Sequence, residues 1–163
     1  EMKTVAAPKG IIVIEDNKPD AIALLTEKAA MLEAVDKYFW DEEAGLYRSY
    51  INTKPHYCEL VQALALIAGA ATGDRARKLR VAIAEKDARL VPATLSYVLF
   101  VYEALLGDDE FRAAAVEDAR ELWGSMTLRG ATSFWETIDG AAAFNDAGSL
   151  CHGWSAIPIC YLA

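Results

Sequence analysis

The sequence has few cysteines and neither a basic stripe nor a long apolar run. Its three cysteines, Cys58, Cys151 and Cys160, form no close pair. A disulfide framework or a zinc site needs tighter spacing and more ligands, so we expect reduced thiols that serve packing. No apolar run reaches the roughly 18 to 20 residues that a membrane span requires. No charged and then apolar signal segment opens the chain, although in a fragment its absence says little about the compartment.

The charge balance is acidic, with a formal net charge of −8 over 163 residues. Nucleic-acid binding calls for clustered Lys and Arg, and no such cluster is present. An acidic surface suits a soluble protein with a neutral or small ligand. The hydrophobic content of 54% is enough for one compact core, or for a fragment of a larger domain.

The hydrophobic pattern predicts a helical chain after a short leader, residues 1–19, in which 11–14 could form a strand. Three segments have apolar residues at three- and four-residue spacing and should be amphipathic helices: 20–40, 75–89 and 111–126. Three others are apolar on nearly every face and should be buried helices: 56–71, about 92–106 with Pro92 in the first turn, and 148 onward. The two kinds alternate along the chain.

This alternation predicts three helical hairpins arranged in two layers, with solvated outer helices and enclosed inner helices. A simple bundle would instead show one apolar stripe on every helix. Three hairpins do not close a ring, so we expect residues 20–163 to be about half of an all-α toroid. Such a half would leave apolar faces open to self-association.

The long connection at 127–147 is the best candidate for a functional site. The inner helices of such hairpins run parallel, so their N-terminal ends and the preceding loops share one face. Long loops inside compact domains are usually functional. Here Glu136 follows Phe134 and Trp135, and large rings beside a carboxylate can partly desolvate it and raise its pKa. His152 should lie in the first turn of the last inner helix, facing the same cavity.

Further candidates surround this loop. Tryptophan faces match the apolar faces of pyranose rings, which draws attention to Trp135 and Trp154. His56, with Tyr57 and Glu59, stands at the start of another inner helix and could line the pocket. The residues alone also fit a plainer interpretation, in which the ring is packed, Glu136 is solvated and the histidines form ordinary hydrogen bonds.

Two motifs resemble the C-terminal catalytic motifs of glycoside hydrolase family 78, the bacterial α-L-rhamnosidases. They are residues 130–136 (GATSFWE) and 148–156 (GSLCHGWSA). Two upstream segments, residues 39–47 (FWDEEAGLY) and 90–97 (LVPATLSY), also resemble sequences of this family. The resemblance covers about residues 20–163. It implies a six-hairpin (α/α)6 toroid of which this chain is the C-terminal half.

The resemblance also implies a reaction: hydrolysis of a terminal α-L-rhamnoside with inversion, by a general acid and a general base. Glu136 matches the position of the base. His152, Trp135 and Trp154 match positions that border the sugar pocket, and we add Phe134 and His56 as candidate substrate contacts. No metal or cofactor is implied, and the expected partners are a rhamnoside and the missing N-terminal half of the domain.

No segment of the chain matches the Asp- and Arg-rich motif that carries the general acid in this family. The 163 residues alone should therefore be nearly inactive. Two alternatives remain open: another six-hairpin enzyme, such as a different glycosidase or a sugar epimerase, and a non-enzymatic helical module that binds carbohydrate or protein. A bacterial cytoplasm or periplasm would suit the chain, but neither is favoured.

Overall fold

The computed structural model describes residues 3–7, 10–14 and 19–157 of the chain. Five helices of eight or more residues are found in this part of the chain, as the all-α prediction requires. They are α1 (Pro19–Phe39), α2 (Glu59–Ala68), α3 (Gly73–Ala84), α4 (Val98–Leu106) and α5 (Arg112–Leu128). None of the helices in these ranges has both the length and the apolar character needed to cross a membrane.

The strands are short and pair in three separate two-stranded sheets. Strands β1 (Lys3–Ala7) and β2 (Gly10–Ile14) form an antiparallel hairpin in the leader. Strands β3 (Trp40–Asp41) and β4 (Leu46–Tyr47) form a second antiparallel pair, and β5 (Tyr57–Cys58) pairs in parallel with β6 (Leu90–Val91). The prediction placed a strand at 11–14 and did not anticipate its partner.

The inner layer consists of α2 and α4, which pack along each other. Helix α3 lies against both of them, and α5 packs on α4. Val98, Val101, Tyr102, Ala104 and Leu105 are buried in α4, which confirms that this apolar segment is enclosed. The core extends from α4 into α2, α3 and α5.

Helix α2 is less enclosed than predicted. Leu64 and Ile67 are 42% and 37% exposed, so the described residues leave part of one apolar face of this helix uncovered. On its opposite side Gln62 is fully buried and joins α2 to β4, because its amide accepts from the Tyr47 N–H and donates to the Tyr47 carbonyl, both at 2.8 Å. Both bonds satisfy polar groups that would be costly to bury unpaired.

Several predicted boundaries are wrong. Helix α2 ends at Ala68 because Gly69 takes a left-handed conformation, with φ of 85°, and its N–H bonds to the Leu66 carbonyl. Pro92 is outside the helix that it was expected to start, since α4 begins at Val98. Helix α3 starts and stops earlier than predicted, at Gly73 and Ala84.

The last predicted helix is the largest error. Of residues 148–157, only Gly153–Ser155 form a 3-10 turn, and the rest have no helical structure. Residues 158–163, where the prediction continues the helix, lie outside the described part. His152 therefore does not stand in a helical first turn: its backbone is extended, with φ of −130° and ψ of 104°.

Candidate functional site

The segments that precede the two inner helices lie side by side. Strands β5 and β6 are parallel, with Tyr57 opposite Leu90 and Cys58 opposite Val91. Glu59, the first residue of α2, accepts a hydrogen bond at 2.8 Å from the main-chain N–H of Ala93. The connections before α2 and α4 therefore occupy the same end of the helical layer.

Glu59 is half-buried at this end of the layer. Burial raises the pKa of its carboxyl group above the ordinary value, and the Ala93 N–H opposes the rise. It lines a cavity of about 320 Å³ together with Asp118 and Leu122 of α5. Since this cavity lies between the inner and outer helices, Glu59 belongs to the contact between layers.

The connection before α2 is held by Asp41. The Tyr57 hydroxyl donates to Asp41 Oδ2 at 2.7 Å, and Arg48 donates to the same oxygen through Nε and Nη2 at 2.9 and 2.6 Å. The other oxygen, Oδ1, accepts the N–H groups of Glu43 and Ala44. These bonds, led by that of Tyr57, lower the pKa of Asp41 to about 2.

His56 belongs to this same connection. Its ring lies 5.4 Å from the ring of Tyr50, and its carbonyl accepts the Ser49 N–H at 2.8 Å. Its Nδ1 is buried and has no hydrogen-bond partner. A buried ring nitrogen without a partner is costly, so this nitrogen is free to form a hydrogen bond with a ligand or a water.

The connection after α5 is built around Trp135. Its side chain is only 8% exposed and packs with Leu95 and Met126 in a small second core. The guanidinium of Arg129 lies over the indole, 4.8 Å from its centroid. The described structure gives Trp135 a packing role, and a contact between its ring and a sugar stays a prediction.

Glu136 is half-buried and forms hydrogen bonds with Ser149, at the start of the second motif. Its N–H donates to the Ser149 carbonyl at 2.9 Å, and the Ser149 N–H donates to Glu136 Oε2 at 3.3 Å. Two residues away, the His152 N–H donates to the Phe134 carbonyl at 2.7 Å. The two sequence motifs are thus joined, and Glu136, Phe134 and His152 lie in one structural unit.

Two glycines allow the two motifs to meet. A Cβ atom on Gly148 would lie 2.0 Å from the Gly140 carbonyl oxygen, and one on Gly140 would lie 2.9 Å from the Trp135 ring. Gly140 also has a φ of 62°. Phe144, Asn145 and Asp146 follow with positive φ, so the chain reverses through left-handed residues before it returns to Ser149.

The exposure of the remaining predicted residues differs widely. Trp154 is 69% exposed, whereas Phe134 and His152 are half-buried. An exposed indole next to the Glu136 segment is free to stack on a ligand. The structure thus leaves Trp154 available and encloses Trp135.

Sequence reasoning missed the residues that hold Glu136 in place. Ser149 and Gly148 lie inside the second motif and Arg129 stands at the start of the loop, yet none was assigned a role. Only spatial proximity reveals them, because Ser149 is 13 residues from Glu136 along the chain. A glycine at the start of the second motif was the one available signal of a close approach.

None of the three larger described cavities contains Glu136. A groove of about 810 Å³ lies between residues 42–46 and α3, and an apolar hollow of about 260 Å³ lies between α1 and α2. The third is the 320 Å³ cavity at Glu59. Glu136 therefore stands outside these cavities, on the connection after α5.

Solved structures of two rhamnosidases are similar to this chain. One is a family 78 rhamnosidase from Bacillus sp. GL1, with a TM-score of 0.70 and 26% identity over 85% of this chain and 15% of that one. The other is a rhamnosidase from Klebsiella oxytoca with rhamnose bound, with a TM-score of 0.75 and 23% identity over 90% of this chain and 29% of that one. The resemblance stated from the sequence motifs is confirmed at the level of structure.

The chain spans less than a third of the length of either rhamnosidase. At 23% identity, the likeness to the Klebsiella enzyme shows the fold alone. No protein-family model and no curated protein matches the sequence. The mostly helical architecture is thus similar to one part of each of these two rhamnosidases.

Proposed function

We propose that this chain forms part of the catalytic domain of an inverting glycoside hydrolase that cleaves terminal α-L-rhamnosides, with Glu136 as the general base. The structural likeness to the family 78 rhamnosidase from Bacillus sp. GL1 supports the class of enzyme. The observation that carries the assignment of the base is the junction of the two motifs, in which the Ser149 N–H holds one carboxylate oxygen of Glu136. The described residues place no hydrogen-bond donor on the other oxygen, which can receive a proton from water.

The surrounding residues receive roles from their positions. Trp154 and Phe134 would contact the sugar through their rings, and His152 would hydrogen-bond its hydroxyl groups. His56 lies on the connection before α2 and would contact the sugar through its unpaired Nδ1. Trp135 is buried, so it would support the loop by packing against its neighbours.

The general acid would come from a segment outside this chain. Inversion requires the two carboxyl groups to stand about 6.5–9.5 Å apart so that a water fits between them. In the proposed enzyme, the remaining walls of the sugar pocket at Glu136 would belong to other hairpins of a toroid. The 163 residues would then bind sugar weakly and turn over little or none.

The test is the replacement Glu136→Gln in the longer protein that carries this chain. With an aryl α-L-rhamnoside as substrate, we expect kcat to fall by about 10²- to 10⁴-fold, because general-base assistance is lost. KM should change little, since the amide keeps the shape of the side chain. The control is Glu33→Gln, which alters an exposed acid on α1 and should leave kcat unchanged.

Other outcomes would contradict specific parts of the proposal. Equal turnover of aryl glucoside or glucuronide would remove rhamnose as the substrate and favour another six-hairpin enzyme. Release of the α anomer of rhamnose as first product would remove inversion. Carbohydrate binding without turnover of any glycoside by the longer protein would point to a binding module.

A further inference from the structure

Glu136 lies in a segment that no regular secondary structure holds. Residues 129–139 contain neither helix nor strand after α5 ends at Leu128. A general base must be placed within about 2.6–3.2 Å of the atom that it deprotonates. The placement of Glu136 therefore depends on side chains that fix this loop.

Arg129 makes contacts with the loop on both sides of Glu136. Its guanidinium lies 4.8 Å from the centroid of Trp135, the residue before Glu136. Through Nη1 and Nη2 it donates to the carbonyls of Ile138 and Asp139, the latter at 3.4 Å. One side chain thus contacts the residue before the candidate base and the turn after it.

The main chain of Arg129 is anchored independently of the loop. Its N–H bonds to the carbonyls of Ser125 and Met126 in the last turn of α5, both at 3.1 Å. The side chain therefore extends from the end of a packed helix. The described residues provide no carboxylate within ion-pair distance of this guanidinium, so the loop is its partner.

The chemistry of this contact is specific to arginine. A planar guanidinium stacks on a ring and still presents several donors in fixed directions, whereas an ammonium group is a single compact charge. The ring quadrupole attracts a cation over an aromatic face, and Arg129 is itself exposed to solvent. We therefore expect the loss of this contact to loosen the loop without unfolding the protein.

We propose that Arg129 is a positioning residue for Glu136, which holds the candidate base in place by bracketing it between the Trp135 ring and the Ile138 and Asp139 carbonyls. The proposal rests on the proposed function and deepens it. The described contacts of the Arg129 side chain are with Trp135, Ile138 and Asp139, on either side of Glu136. Its effect on catalysis passes through the loop.

The experiment compares Arg129→Met and Arg129→Lys in the longer protein with the matched control Arg120→Met. Arg120 is an exposed residue of α5 whose described partner is Glu117, at 3.5 Å. We expect Arg129→Met to lower kcat about 10- to 100-fold with KM within threefold. Arg129→Lys should recover part of the loss, since it retains the charge over the ring but not both carbonyl bonds.

The pH profile of kcat separates positioning from a general loss of folded protein. A misplaced base should shift the acidic limb of the profile, whereas a smaller folded fraction scales every point equally. A kcat and a profile for Arg129→Met that match those of Arg120→Met would overturn the proposal. Thermal unfolding of each variant supplies the folded fraction.

Hydrogen exchange in the 163-residue chain tests the proposal without catalysis. The Glu136 N–H, bonded to the Ser149 carbonyl, should exchange about tenfold faster in Arg129→Met than in Arg120→Met. Unchanged exchange would overturn the positioning role even in an active enzyme. If Glu136→Gln retains turnover while Arg129→Met speeds this exchange, the function assigned to Glu136 fails and the role of Arg129 in the loop stands.

Discussion

At the scale of single residues, Asp41 shows how a polar group is kept in a buried position. Its side chain is 8% exposed, yet it accepts hydrogen bonds from Tyr57, Arg48 and two main-chain N–H groups. Every one of these bonds favours the ionised carboxylate. Asp41 therefore fastens the connection before α2, which carries His56, to the end of the layer.

The lowered pKa of Asp41 makes a prediction about stability and pH. Its folded value is about 2 against an ordinary 3.8, so its ionisation contributes roughly 2 kcal/mol above pH 4. That contribution should be lost as the pH falls from about 4 to 2. Urea unfolding of Asp41→Asn should show a loss of about 1–3 kcal/mol at pH 7 and a flatter acid limb than the unchanged chain.

The matched control for this prediction is Asp109→Asn. Asp109 also pairs with an arginine, Arg112, but its side chain is 93% exposed, and exposed ion pairs contribute little. Its replacement should change the free energy of unfolding by less than about 0.5 kcal/mol. If the two variants behaved alike, the hydrogen-bond network around Asp41 would not be a source of stability.

At the scale of elements, the site depends on the approach of two loop segments. Glu136 and Ser149 are hydrogen-bonded to each other although they belong to different motifs. They can meet because the backbones of Gly140 and Gly148 lie in contact. The preceding helix α5 ends where Arg129 begins its contacts with the loop. The loop thus has a defined shape without any helix or strand of its own.

Gly148→Ala should disrupt this approach. The new methyl carbon would clash with the Gly140 carbonyl oxygen, so the two segments must separate. We expect a loss of about 1–3 kcal/mol, in line with steric overpacking, and rapid exchange of the Glu136 N–H. Differential scanning calorimetry and hydrogen exchange measure the two effects.

Gly124→Ala is the control for this substitution. Gly124 lies within α5 and a Cβ atom there meets nothing within 4 Å. Alanine is favoured over glycine in a helix interior by up to about 1 kcal/mol, so this variant should be neutral or slightly more stable. A stable Gly148→Ala variant with a protected Glu136 N–H would show that the glycine contact is dispensable.

At the scale of the whole molecule, one apolar side remains uncovered. Leu64 and Ile67 of α2 are partly exposed, and Ile22, Leu24 and Met31 of α1 are each more than 60% exposed. An apolar hollow of about 260 Å³ lies between these two helices. Exposed apolar surface of this kind is found where another element packs.

We therefore expect the isolated 163-residue chain to associate with itself at micromolar concentrations. The double variant Leu64→Glu, Ile67→Glu should reduce the association, because it places charges on the open face of α2. Sedimentation velocity gives the oligomeric state. Leu128→Glu is the control: Leu128 is 91% exposed at the end of α5, so its replacement should leave the association unchanged.

Much of the architecture could be predicted from the sequence, because hydrophobic periodicity reports directly on burial. The enclosed helix α4 and the amphipathic helix α5 follow from local patterns, and the motifs at 130–136 and 148–156 pointed to the rhamnosidase fold. Helix ends were less predictable: α2 ends at Ala68 because Gly69 is left-handed, and the apolar residues after Gly148 form no helix up to residue 157. An apolar run alone does not distinguish a helix from a packed irregular segment.

What the sequence determined by itself is the enclosed segment of α4 and the amphipathic segment of α5, since both are local residue patterns. Glu136 as the base follows from the resemblance of its motif to family 78 and stays a prediction. Only the tertiary structure decided that Trp135 is enclosed, that Trp154 is exposed, and that Ser149 and Arg129 hold the Glu136 loop. The physical reason is that these contacts join residues that are not neighbours in the chain, or depend on which face of a ring its neighbours cover. Such relations arise only when the loop folds back on itself across Gly140 and Gly148.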